Sequence, residues 1–200
     1  MPETPGPRRF VALALPEELR ADRAAATAHL RSTPPAGLRP TPPAGLRPTP
    51  PTGWHVTLAF LGHLDVDLAT VAVEVVAACL RRTAPRPAPR LTLRRAGRFG
   101  DRVLVVHVTD DPEGSLSAFV TGLHAELLSA GFDLPDRSYR PHLTLARARG
   151  SRRVTGQDVE ALRLPPLRWR PEAVGLWALA RDGADHPYDV EVVLPWPEPD

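Results

Sequence analysis

The sequence predicts an α+β fold built on antiparallel sheet, and three observations carry that prediction. Short segments with strand periodicity alternate irregularly with amphipathic helical segments. Two pairs of strand segments are joined by short Gly-containing turns. The order along the chain, β-α-β-α-β-β-α-β-α-β-β, mixes hairpins with helices in a way that a doubly wound parallel sheet does not. Two hundred residues, 42% of them apolar, are enough for one domain with a true interior.

Each element has a local reason. Phe10 to Leu15 is a short apolar run that suits a buried strand, and Pro16, Glu17 and Glu18 fit the first turn of a helix running to about Arg31. Residues 32–53 then change character to an octapeptide repeat, Thr33 to Pro40 and Thr41 to Pro48, with a third, diverged copy from Thr49. An eight-residue unit this rich in proline cannot stack as a solenoid, so the segment reads as a long, extended, polyproline-like loop. Trp54 to Leu61 alternates: His55, Thr57 and Ala59 on one face, Val56, Leu58 and Phe60 on the other. Asp65 to Arg82 is a helix with Leu68, Val71, Val75, Val76 and Cys79 on its apolar side, stopped by the prolines of 85–89. Leu91 to Arg95 and Val103 to Thr109 form an antiparallel pair, and a helix covers Glu113 to Ala130. Tyr139 to Arg147 alternates again, with Arg140, His142, Thr144 and Ala146 opposite Leu143 and Leu145. A short helix from about Gln157 to Arg163 and two strands, Ala173 to Ala180 and Tyr188 to Leu194, complete the chain. The expected layout is a flexible stretch over 1–9, a single domain over 10–194 and a tail over 195–200.

The formal charge is only +2, yet all 25 basic residues are arginine. GC-rich coding explains that bias without function, although arginine is also the better side chain for bidentate phosphate contacts. A chain without lysine cannot carry a Gly-x-x-x-x-Gly-Lys phosphate loop. The single Cys79 cannot form an internal disulfide and falls within a helical apolar pattern, which points to a small buried hydrophobe and a reducing compartment. With neither a signal-peptide core nor a membrane-length apolar run, the chain reads as soluble, cytoplasmic and monomeric.

The chemistry lies in a tetrapeptide that occurs twice, His55-Val56-Thr57-Leu58 and His142-Leu143-Thr144-Leu145. A strand sets residues i and i+2 side by side, so each copy presents an imidazole and a hydroxyl above an apolar back. Two such strands facing each other would hold a phosphate through Thr57 and Thr144 with one imidazole on each flank. Hydrolysis needs one group to take a proton from water and another to give one to the departing oxygen, and histidine suits both tasks near neutral pH. Spacing alone does not decide which histidine does which. A His-x-Thr unit offers a metal too few good ligands, and no Gly-x-Ser-x-Gly elbow is present, so neither a metal nor a cofactor is expected.

The longer contexts, Trp54-His-Val-Thr-Leu-Ala-Phe-Leu-Gly62 and Tyr139-Arg-Pro-His-Leu-Thr-Leu-Ala-Arg147, resemble the two motifs of the 2H phosphoesterase superfamily, in particular its RNA 2′,3′-cyclic phosphodiesterase branch of bacterial 2′-5′ RNA ligase-like proteins. The resemblance covers Phe10 to Leu194. It implies two pseudo-symmetric lobes of antiparallel sheet with flanking helices around a central cleft, one motif from each lobe and no metal. It implies that water opens a 2′,3′-cyclic phosphate at an RNA 3′ end to a 2′-phosphomonoester. On this likeness His55 is the proton donor, His142 the proton acceptor, and Thr57 and Thr144 bind phosphate. The duplicated loop departs from the family pattern, in which the connection into the first motif is shorter.

Other residues receive weaker assignments. Arg140 shares a face with His142 and is placed either on the phosphate and nucleotide chain or at a solvated edge; Arg147 has the opposite parity and is expected to brace its lobe. His107 reads as a core or rim residue, and His29, His63, His124 and His186 as surface residues. Arg39 and Arg47 of the repeat are candidates for RNA beyond the terminal nucleotide, against a neutral duplication. The competing functions are cleavage of small cyclic nucleotides, 2′-5′ RNA ligation, and RNA-end binding without turnover, the last disfavoured by few aromatic residues and a small net charge.

Overall fold

The two motif strands lie side by side at the middle of the sheet. The computed structural model describes residues 6–20, 45–162, 166–180 and 186–198. Its strands are β1 (Arg8–Ala14), β2 (Leu46–Pro48), β3 (His55–His63), β4 (Arg90–Phe99), β5 (Val103–Asp111), β6 (His142–Ala148), β7 (Leu167–Trp169), β8 (Ala173–Leu179) and β9 (Tyr188–Pro195). They form one nine-stranded sheet in the order β7-β4-β5-β6-β3-β1-β8-β9, with β2 added on β6. All pairings are antiparallel. The motif strands β3 and β6 are the innermost members of two four-strand halves, joined through one bridge, Val56 to Leu143.

Two helices pack on the side of the sheet away from the motif side chains. The helix Val66–Thr83 is capped by the Asp65 carboxylate, which accepts from the Leu68 N–H at 2.8 Å. The helix Ser115–Ser129 is held at its start by the Asp110 carboxylate, which accepts from the N–H groups of Leu116 (2.6 Å) and Gly114 (3.1 Å). Ala72, Val76, Cys79 and Leu80 from the first and Leu116, Val120, Leu123 and Leu127 from the second are buried with Leu58, Leu91, Leu104 and Leu145 of the sheet. Removing each of these leucines from water contributes roughly 1.5–3 kcal/mol. Cys79 is a fully buried free thiol, as its helical spacing predicts.

The differences from the sequence reading are local. The helix expected from Pro16 starts at Glu17; its remainder, with His29, the first octapeptide and Arg39, lies outside the described residues. The end of the second octapeptide is β2 and not loop: Leu46, Arg47 and Pro48 pair with Ala148, Arg147 and Ala146. Three-residue strands such as β2 and β7 carry too little periodicity to register in a sequence. Strand β6 starts at His142, three residues later than expected, because Pro141 has no N–H to give the ladder. In the C-terminal stretch, Trp196 is buried and its indole N–H donates to the Pro85 carbonyl at 3.0 Å. Among the described residues no helix is long and apolar enough to cross a membrane.

Candidate active site

The bridge between Val56 and Leu143 fixes how the motifs meet. In an antiparallel register that pairs residues 56 and 143, His55 stands beside Thr144 and Thr57 beside His142. The four side chains therefore share one face of the sheet, each imidazole beside a hydroxyl and the two imidazoles diagonally across from each other. Such diagonal positions lie roughly 7–8 Å apart on a sheet, which leaves room for a tetrahedral anion between the rings. Thr57, His142 and Thr144 line both of two overlapping hollows, of about 580 and 660 Å³, and His55 lines the second. These are ordinary dimensions for a small-ligand cleft.

A matched irregularity in the two strands extends the site. Strand β6 pairs Val105 with Thr144 but Leu104 with Ala146, so Leu145 is an extra residue, a β-bulge. Strand β3 does the same against β1: Ala12 pairs with Thr57 but Val11 with Ala59, and Leu58 is the extra residue. After each bulge the alternation is reversed. Ala59 and Ala146 turn into the helix-side core with the bulged leucines, while Phe60 and Arg147 turn to the cleft. This corrects the sequence reading, which put Ala59 and Ala146 with the histidines and assigned Phe60 and Arg147 to the opposite face. The repeated unit is thus six residues, His-x-Thr-Leu-Ala-X, with X being Phe60 in one strand and Arg147 in the other. Both bulged carbonyls find donors: His124 Nε2 donates to Leu58 O at 2.8 Å, and the Thr49 N–H donates to Leu145 O at 2.8 Å. His124 is accordingly a half-buried cleft residue and not the surface residue expected of it.

Each imidazole is oriented by its own lead-in backbone. His55 Nδ1 donates to the carbonyl of Gly53 at 2.8 Å, and His142 Nδ1 donates to that of Arg140 at 2.7 Å. A carbonyl only accepts, so Nδ1 carries the hydrogen and, in the neutral ring, Nε2 holds the free lone pair. Both Nε2 atoms are thereby available to exchange protons with a ligand.

The surroundings of the two rings differ. His55 is packed among Phe10, Tyr188 and Trp177, with ring centroids at 4.8, 5.0 and 5.3 Å. Burial is the main force that pushes its pKa down to about 4; the Gly53 hydrogen bond opposes this, and the charges of His142 and Arg147 reinforce it. His142 is also lowered, first by burial and then by Arg147, His107 and Arg137, against the Arg140 hydrogen bond. Its ring meets Phe99 edge to face at 4.5 Å. The field of Arg147 thus reaches both imidazoles, and the expectation that this residue braces its lobe gives way to a place in the cleft.

Of the remaining candidates, Arg140 is exposed on the cleft wall beside His142. His107 pairs directly with His142 across the β5–β6 ladder but packs over Gly97, where a Cβ would come within 2.2 Å of Nε2; it is a rim residue. His63 and His186 are exposed, with partners in Gly6 O and Asp189. Arg47 lies opposite Arg147 in the β2–β6 pairing, and its side chain is exposed. Arg8, Arg98 and Arg137 were missed from sequence and line the cleft with Arg140 and Arg147; Asp133 is the only carboxylate among the described lining residues. Nothing in the spacing of these three arginines marks them, since they are gathered from β1, β4 and the 130–141 loop. Among the described residues no three His, Cys, Asp or Glu side chains cluster so as to hold a metal ion.

A curled antiparallel half-barrel with few flanking helices and a two-histidine cleft at its seam defines a class of phosphoesterase folds. Residues 16–183 match the sequence profile of the 2′-5′ RNA ligase superfamily, and the chain belongs to that family of 2H phosphoesterases. It is 32% identical over 96 residues to a Geobacillus stearothermophilus RNA 2′,3′-cyclic phosphodiesterase, a match spanning 47% of this chain and 30% of that protein. Escherichia coli LigT complexed with 3′-AMP superposes with a TM-score of 0.70 at 25% identity, covering 96% of this chain and 98% of LigT. TT0787 of Thermus thermophilus gives a TM-score of 0.66 at 27% identity, covering 94% of this chain and 97% of that one.

Proposed function

We propose that the protein hydrolyses the terminal 2′,3′-cyclic phosphate of RNA to a 2′-phosphomonoester without a metal ion. The observation that carries this reading is the pair of imidazoles clamped through Nδ1, with both Nε2 atoms free at one cleft and a threonine hydroxyl beside each. His142 takes a proton from water as the water oxygen bonds to phosphorus. The bond from phosphorus to the 3′ oxygen breaks, and His55 Nε2–H delivers its proton there to give a 3′-hydroxyl. Exchange with solvent then resets both rings.

Burial holds His55 neutral in the free protein, so as donor it takes up its proton with the bound phosphate, whose negative charge beside Nε2 raises the proton affinity of the ring. His142, lowered by burial and by arginine, stays neutral and ready to accept near pH 7. Thr57 and Thr144 donate hydrogen bonds to the non-bridging oxygens, Arg147 balances their charge, and Arg140 reaches the adjoining nucleotide chain. The arginine-lined cleft in a chain of net charge +2 supports a polyanionic substrate. The Geobacillus relative and the LigT complex with 3′-AMP support an RNA or nucleotide ligand.

The test is an RNA oligomer ending in a 2′,3′-cyclic phosphate, incubated in a chelator, with the product monoester identified by phosphorus NMR. Release of the 2′-monoester is expected. A 3′-monoester, or turnover that requires added metal, rejects the mechanism.

A further inference from the structure

The charge of the sheet is divided unevenly between its halves. Strands β4, β5, β6 and β7 carry six arginines and two carboxylates. Both carboxylates are engaged, Asp110 at the start of the helix Ser115–Ser129 and Asp111 with Arg90 at 3.8 Å. The other half, β1, β3, β8 and β9, sets two arginines against Asp189 and Glu191. A third bulge shows where the surplus points. Leu93 pairs with Val108 and Ala96 with Val106, so Arg94 and Arg95 together stand opposite His107. Leu93 and Ala96 both pack into the helix-side core, and the two exposed arginines between them lie on the other face, the one that carries His142. On β7, Leu167 and Trp169 also pack into that core, which puts the exposed Arg168 on the cleft side, across from Thr92.

These arginines continue the candidate active site across the ladder. His142 pairs with His107, and His107 faces Arg94 and Arg95. Two strand spacings, roughly 10 Å, separate His142 from the bulge. His107 is lowered by burial first and then by the charges of Arg95 and Arg140, so guanidiniums from β4 and from the cleft wall bear on one ring. Among the described residues no carboxylate pairs with Arg94, Arg95, Arg140 or Arg168. Cations gathered on one face without counterions repel one another, and a polyanion laid along them relieves that repulsion. The geometry points to Arg94, Arg95 and Arg168 as contacts for backbone phosphates of the RNA chain upstream of its terminal nucleotide, which runs from His142 across β5 and β4 toward β7. The inference rests on the reading of the cleft as the site of an RNA end. Contacts to phosphate carry no base information, so this half of the sheet selects for chain length and not for sequence.

Calorimetry on the full chain with two probes, a hexauridylate ending in a 2′-phosphate and uridine 2′-monophosphate, tests this across a series of salt concentrations. The wild type should bind the hexamer more tightly than the mononucleotide. Arg95→Gln should weaken the hexamer by about threefold or more and leave the mononucleotide within about twofold, whereas Arg81→Gln, the same charge change on the helix side, should alter neither. Replacing Arg94, Arg95 and Arg168 together by glutamine should reduce the slope of log affinity against log salt for the hexamer by about 2, since each contact to a single strand contributes roughly 0.7. A wild type that does not favour the hexamer, equal weakening of both probes by Arg95→Gln, or the same loss from Arg81→Gln would overturn the inference, as would a hexamer affinity that Arg95→Gln leaves unchanged. Should the triple variant fail to fold, Arg95→Gln against Arg81→Gln decides alone. Binding of a product needs no turnover, so a failure to hydrolyse cyclic phosphate would count against the proposed function and leave this test decisive.

Discussion

The first motif strand and the second differ in what surrounds a shared backbone device. Both present His-x-Thr-Leu-Ala-X, both bulge at the leucine, and both orient the imidazole through a peptide carbonyl two residues upstream. Around this common frame, His55 sits among three aromatic rings while His142 meets one ring and feels the charges of Arg147, Arg137 and His107. Geometry is duplicated and electrostatics is not. Two equivalent imidazoles would have equal proton affinities; unequal packing gives these two unequal ones.

The largest expected effect tests whether the two halves act as one unit. His55→Ala and His142→Ala should each lower kcat/KM on a cyclic-phosphate RNA by on the order of 10³-fold with unchanged circular dichroism, and the double variant should be little worse than either single one. Multiplying losses would mean independent roles. Arg147→Ala should cost on the order of 100-fold, as removal of a donor to the reacting phosphate does. The pH profile adds a signature. Both histidines are lowered below the ordinary value of 6.5 in the free protein, so the singly protonated pair peaks, and with it kcat/KM, on the acid side of 6.5. Arg147 lowers both rings, so its loss should move that maximum to higher pH.

The aromatic enclosure of His55 has a stability consequence of defined sign. Its pKa is about 4 folded and 6.5 unfolded, so the stability of the neutral buried ring is complete above 6.5 and is lost as pH falls toward 4. His55→Gln, which does not titrate, should remove up to about 3 kcal/mol of the difference in unfolding free energy between pH 7 and pH 4, read from urea titrations. An unchanged pH dependence would show that the ring is wetter than its packing implies. Smaller again is Gly53→Ala: the new methyl would lie 2.5 Å from Pro187 and 3.2 Å from the Tyr188 ring, which flanks His55. A destabilisation of about 1–3 kcal/mol and a lower kcat are expected, measured by melting and steady-state rates. The smallest effect concerns the octapeptides. Deleting residues 41–48 lets the identical Thr33 to Pro40 supply the same Leu-Arg-Pro before Thr49, so β2 and its pairing to β6 are rebuilt and the melting temperature should hold. A marked fall would show that the length of the duplication itself matters.

Much of this was legible in the sequence. The motif histidines and threonines, the helices and the β4–β5 hairpin follow from periodicity and from Gly and Pro signals. What was not legible has a common physical cause. A strand pattern is read by assuming strict alternation, and one inserted residue reverses it from there on, which is why Phe60, Arg147 and both motif alanines were assigned to the wrong faces. The donor that satisfies Leu58 O is His124, 66 residues away, and no local spacing announces such a partner. Arg8, Arg98 and Arg137 are likewise brought together only by the sheet order.

The carbonyl clamps have a bearing on how such a site arises. Because a main-chain oxygen aligns each ring, Gly53 and Arg140 serve equally well as its bearer, and no helper side chain has to evolve alongside the histidine. Everything one half contributes is written in a handful of consecutive codons. Copying a single ancestral half and letting the copies dock along their inner edges would produce a complete site in one event, after which each side was free to specialise through its neighbours alone.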